Sequence, residues 1–189
     1  MPELSESELA SLLAAQELVH SLKDSYEIAS ELAKAATVKE YQRGKQLYTK
    51  GDPGKDLYFI LKGSIELKDE NTSVGVQRAG KTVGEFPLLN PTLPYTVTAA
   101  ALENSTVAVV SYEHFQAIAK SHPELWKNLS GLLAVRLQHT TERLLTQLRK
   151  ATGQRNLAFA ILGVIVGFLA VPFENWNYWL SLTGLGKGH

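Results

Sequence analysis

The sequence predicts a mainly β chain, an antiparallel jelly roll with flanking helices, extended by a long helix and a C-terminal membrane helix. Three observations predict it. Short apolar runs cut by Gly, Pro and Asn fill residues 38–111, apolar residues at helical spacing lie on either side, and 18 consecutive residues near the C-terminus carry no charge.

From Ser5 to about Ala36, Leu9, Leu12, Leu13, Ala15, Ile28, Leu32 and Ala35 recur at helical spacing. Ser5 with Glu8 three residues later fits a capping box that opens the first helix. The runs Gln46–Thr49, Leu57–Leu61, Ser64–Lys68, Val74–Gln77, Thr96–Leu102 and Thr106–Val110 are short and closely spaced, as in an antiparallel sandwich. A second helical region spans Tyr112 to about Thr152 and is interrupted near Ser121–Pro123, where proline suits a helix start. The expected organisation is therefore N-terminal helices over 1–37, a jelly roll over 38–111, a long helix region over 112–153 and a membrane segment with an aromatic tail over 154–189.

The last segment carries the localisation expectation. The stretch NLAFAILGVIVGFLAVPF, residues 156–173, would span about 27 Å as a helix, close to the roughly 30 Å hydrocarbon core. Trp176, Tyr178 and Trp179 follow it, and such rings suit the membrane interface. Arg143, Arg149, Lys150 and Arg155 precede it, which places the N-terminal domain in the cytoplasm. The plainer reading is a helix buried against the sandwich or in a dimer core, because the stretch is short and Pro172 can cut it. Gly163 and Gly167 form a GxxxG pair that would let a second membrane helix approach closely, although glycine is common in such helices.

With 19 basic and 19 acidic residues the formal net charge is zero, which argues against nucleic-acid binding through phosphate attraction. The chain has no cysteine, hence no disulfide, thiol nucleophile or thiolate metal site. The N-terminus lacks the basic region and apolar core of a secretory signal, again pointing to the cytoplasm. His20, His114, His122, His139 and His189 show no metal-ligand spacing, and GxSxG and Walker motifs are absent from the sequence. The chain is read as no enzyme, with no metal.

YQRGKQLYTKGDPGKDLYFILKGSIEL, then VGEFPLLNPTLPYTVTAAALENS, then a helix containing VRLQHTTERL follow one another between about Tyr26 and Arg143. In this order they resemble the cyclic nucleotide-binding domain of the cAMP receptor protein and its regulator relatives, over around 120 of 189 residues. The second segment looks like the family's phosphate-binding cassette, Gly84, Glu85 and Phe86 at its start and Tyr95 and Thr96 at its end. The resemblance implies that Glu85 accepts a hydrogen bond from the ribose 2′-hydroxyl and that short-helix amides face the cyclic phosphate. The family's cassette arginine falls on Tyr95, eleven residues after Gly84. Tyrosine lacks the charge and forked donors of arginine, so about 1.5–3 kcal/mol of phosphate contact is lost, roughly ten- to a hundredfold in affinity. Pro87 removes one further N–H donor. Thr140 and Thr141 match the family's adenine-contacting hydroxyls, and Arg136 is a second candidate for the ligand or Glu85. Each position has a plainer reading: Glu85 bonding its own loop, Thr140 and Thr141 in a helix seam, Tyr95 a packed aromatic.

The family's regulators place a winged helix-turn-helix after the long helix; only 37 residues follow Thr152 here, apolar and aromatic. The expected function is thus a membrane-anchored, non-enzymatic regulatory or structural subunit of a membrane complex, its nucleotide binding weak or lost. The alternative is a genuine cAMP or cGMP sensor signalling to a membrane partner, and a third reading is a truncated DNA-binding regulator. The expected ligand is cAMP or another cyclic nucleotide. Expected partners are the lipid bilayer, an integral membrane protein or complex, and a second copy pairing through the long helix at Leu133, Leu137, Leu144 and Leu148, with no nucleic acid.

Overall fold

The computed structural model describes residues 4–90 and 92–152. Two helices open the fold, α1 (Glu6–Ala14) and α2 (Ser25–Ala35). The capping box closes both ways: Ser5 Oγ accepts from Glu8 N at 3.3 Å while Ser5 N donates to the Glu8 carboxylate at 2.9 Å. The strands are β1 (Thr37–Tyr41), β2 (Gln46–Tyr48), β3 (Asp56–Lys62), β4 (Ser64–Asp69), β5 (Thr72–Arg78), β6 (Thr82–Val83), β7 (Thr98–Ala101) and β8 (Ser105–Ser111), with the short helix α3 (Phe86–Leu89) between β6 and β7. Two helices follow, α4 (Tyr112–Ser121) and α5 (Glu124–Thr152).

All strand pairs are antiparallel, in two four-stranded sheets ordered β1-β8-β3-β6 and β2-β7-β4-β5. One apolar cluster draws on both, with Tyr58, Ile60, Val83, Val107 and Val109 from the first and Tyr48, Ile65, Ala99 and Ala101 from the second. That interior is the sandwich core. The alternate residues of β3 and β8, Leu57, Phe59, Ala108 and Val110, are also fully buried, because the other face of the first sheet is covered by helices. Hence β3 and β8 read as continuous apolar runs, whereas β4 and β5 grow more exposed toward their turn.

Two strands add to the runs read from sequence. In β1, Thr37–Glu40 are exposed and Tyr41 half-buried, so its pairing with β8 rests on backbone hydrogen bonds and no apolar run marks it. β6 has two residues, below the length at which alternation is legible.

The chain divides into two units, Met1–Leu132 and Leu133–His189. In the first, Leu125 and Leu129 of α5 are fully buried, Trp126 meets Phe115 edge-on at 5.2 Å between centroids, and Asn128 donates to the Leu18 carbonyl at 3.0 Å. In the second, α5 continues with Val135, Leu137 and Leu144 more than half exposed. Among the described residues no helix is long and apolar enough to cross a membrane. The stretch 156–173, with Gly163 and Gly167, and the following Trp176, Tyr178 and Trp179 lie outside the described residues.

Candidate functional site

The loop from β6 through α3 to β7 is pinned at both ends. At its start Gly84 has φ +88°, a conformation that side chains resist, and an added Cβ would lie 2.7 Å from the Asp56 carbonyl and 3.1 Å from the Tyr58 ring. The turn thus presses the chain onto the beginning of β3. Glu85 follows at the N-terminus of α3 and is 5% exposed. A carboxylate so buried needs a donor, and the fully buried Thr82 hydroxyl supplies one, 2.6 Å from Glu85 Oε1. Pro87 is buried against Gly54, where a Cβ would stand 1.9 Å from its ring, so only glycine fits beneath α3. Phe86 and Leu89 stay half exposed on the outer side.

At its end the loop pairs with the β2–β3 turn: Tyr95 N donates to Asp52 O at 3.0 Å and Gly51 N to Tyr95 O at 2.9 Å. The Tyr95 side chain turns inward and is 5% exposed. Its ring stacks on Tyr48 with centroids 3.8 Å apart and planes 14° off parallel. Its hydroxyl donates to the Asp56 carbonyl at 3.1 Å and accepts from the Asp56 N–H at 3.3 Å. Thr96 is exposed.

The interior here is a tyrosine cluster with a carboxylate at its edge. Burial holds the Tyr95 and Tyr41 phenols above their ordinary value, and Tyr58, beside Tyr95, goes up much further. Burial also raises Asp56; the Lys39 ammonium opposes it and Glu113 adds to it. The cluster is therefore neutral hydroxyls at physiological pH, and the Tyr95 proton is already committed to a backbone carbonyl.

The structure brings Gly84, Glu85, Phe86, Tyr95 and Thr96 into one loop. Arg136, Thr140 and Thr141 stand on α5 in the second unit: Arg136 and Thr141 are half-buried, while Thr140 is exposed and donates to the Arg136 carbonyl at 2.9 Å. Sequence reasoning missed Thr82, the donor to Glu85, and Tyr48 and Asp56, the partners of Tyr95. A hydroxyl three residues before a cassette carboxylate was the one local signal; the other two contacts join residues 47 and 39 positions apart and leave none. Among the described residues no group of three or more His, Asp or Glu gathers to hold a metal.

Comparison with known proteins agrees with this architecture. The family model described as the cyclic nucleotide-binding domain matches residues 38–122. The chain is 31% identical over 137 residues to the Pycsar effector protein PaPycTIR of Pseudomonas aeruginosa, covering 72% of this chain and 44% of that one. It is 28% identical over 111 residues to the cAMP-activated global transcriptional regulator CRP of Salmonella typhimurium, covering 56% and 53%. It spans less than half the length of the Pycsar effector proteins it matches. A crystal structure of a cyclic nucleotide-binding domain from Methylobacillus flagellatus superposes with a TM-score of 0.64 at 23% identity, covering 75% of this chain and 85% of that one, which shows the shared fold. With its two antiparallel sheets, its pinned loop and these relatives, the chain carries a cyclic nucleotide-binding domain over residues 38–122, similar to that of the cAMP receptor protein.

Proposed function

We propose that this chain is a membrane-anchored, non-enzymatic effector or regulatory subunit that senses a cyclic nucleotide and holds it without the usual arginine. One observation carries the reading: Glu85 is buried and accepts from the Thr82 hydroxyl, while Tyr95, where the resemblance would place an arginine, is a buried neutral ring. Glu85 would accept the ribose 2′-hydroxyl. The phosphate would meet amides and solvent rather than a guanidinium, so affinity is low. The similarity to effector proteins and to a cAMP-activated regulator supports ligand-gated output, and the apolar stretch 156–173 would carry that output at a membrane, with the domain in the cytoplasm and a membrane protein as partner. A ligand must favour one of two conformations to signal; affinity alone shifts nothing.

Calorimetry with the four 3′,5′-cyclic mononucleotides on the full chain in mild detergent tests the site. Wild type should bind at least one of them, and Glu85→Gln should lower that affinity about ten- to a hundredfold through loss of a charge-assisted bond. No heat at millimolar ligand overturns the sensor. Fractionation tests the anchor, which fails if the chain is recovered from the soluble fraction without detergent. A second reading, a ligand-free interaction module, is favoured by Phe86 and Leu89, each 50% exposed on α3.

A further inference from the structure

Resting on the reading of Glu85 as the ribose acceptor, we propose that Glu17 is a positioning residue for the nucleotide site, linking the N-terminal helical segment to the cassette carboxylate through Thr82. Glu17 lies in the turns after α1 and meets three consecutive residues. Its N–H donates to Gly80 O at 2.9 Å, its Oε2 pairs with Lys81 Nζ at 2.5 Å, and its Oε1 accepts from Thr82 N at 3.4 Å. Beside it Gln16, 3% exposed, donates to Ile60 O at 3.3 Å, tying the same segment to β3. The Lys81 pair alone adds little, since that lysine is half exposed. The three contacts together fix the approach to β6, and the Glu17 side chain is only 14% exposed, so water competes weakly for them.

The consequence follows from how short β6 is. Its two residues pair with β3, Tyr58 with Val83 and Phe59 with Thr82, and among the described residues β6 is the edge strand of its sheet. Thr82 carries the hydroxyl that fixes Glu85 Oε1 at 2.6 Å. A hydrogen bond weakens steeply over a few tenths of an ångström, so a displaced Thr82 misplaces the carboxylate. Glu17 acts by holding Thr82 where Glu85 needs it, which makes the N-terminal helices part of the binding response.

The test compares the cyclic mononucleotide that wild type binds best with its 2′-deoxy counterpart, by calorimetry on the full chain. Glu17→Ala and Thr82→Val should each weaken the ribonucleotide about fivefold, the equivalent of one ordinary hydrogen bond, and leave the deoxy analogue unchanged. Thr82→Ser keeps the hydroxyl and Glu17→Gln keeps an acceptor for the Thr82 N–H, so both should retain most of the wild-type preference. Amide hydrogen exchange without ligand should rise across residues 82–86 in Glu17→Ala and stay constant across β4. A wild type that does not distinguish ribose from deoxyribose overturns the role of Glu85 and this inference with it. A discriminating wild type overturns the inference alone if Glu17→Ala keeps the same preference, weakens both nucleotides equally, or leaves exchange at 82–86 unchanged.

Discussion

At the Gly84 end of the cassette a buried carboxylate accepts from a threonine hydroxyl, whereas at the Tyr95 end a buried phenol stacks on a ring and bonds the two backbone groups of Asp56. The first arrangement places a carboxyl group at the start of the short helix α3. The second spends its polar atom internally and contributes packing. On the proposed reading the same loop carries a site at one end and a piece of core at the other. The difference teaches that position within a family motif does not fix the job a residue does: the resemblance would put a phosphate-binding arginine at Tyr95, yet its contacts are those of the sandwich interior.

Breaking the packed end should cost most. Tyr95→Ala removes a ring that Tyr48 stacks on, and a drop of about 3–5 kcal/mol in unfolding free energy is expected, read from denaturant midpoints. Tyr95→Phe keeps the ring and loses the hydroxyl's bonds to the Asp56 backbone and to Tyr58, so its cost should be smaller, about 1–2 kcal/mol. If the two variants cost the same, the hydroxyl rather than the ring holds this end.

The turn at the other end comes next. Gly84→Ala forces a side chain into a φ of +88° and against the Asp56 carbonyl, for which about 2–4 kcal/mol is expected from strain and overpacking together. The same denaturation series checks it, and a neutral outcome would mean that the corner relaxes freely.

The smallest effect sharpens the comparison by pH. Burial raises Asp56 above its ordinary 3.8, so the folded state favours the neutral acid. Its contribution to stability is complete below that ordinary value and is lost as pH rises through the higher folded value. Asp56→Asn should flatten this part of the stability profile, measured as denaturant midpoints across a pH series. An unchanged slope would place the titration elsewhere.

Much of this was legible along the chain. Ser5 and Glu8 announce their cap because the interaction is local, and β3 and β8 announce themselves because burial on both faces leaves an unbroken apolar run. The cassette was legible through its resemblance, which places Glu85 and Tyr95 by order and spacing. What remained hidden were contacts between distant residues: Thr82 is near Glu85 in sequence, but Glu17 reaches Thr82 across 65 positions. β1 was hidden for the converse reason, since its exposed residues pair through backbone atoms common to every sequence.

The sequence by itself determined the sandwich and the helices around it, because periodicity and turn residues are properties of neighbours in the chain, and its resemblance to the family placed a tyrosine where an arginine is expected. Only the tertiary structure decided that the Tyr95 proton is committed to Asp56 and that Glu17 stands behind Thr82. Those are matters of which polar atoms find partners once water is excluded, and that is settled by how the sheets and the N-terminal segment close on one another.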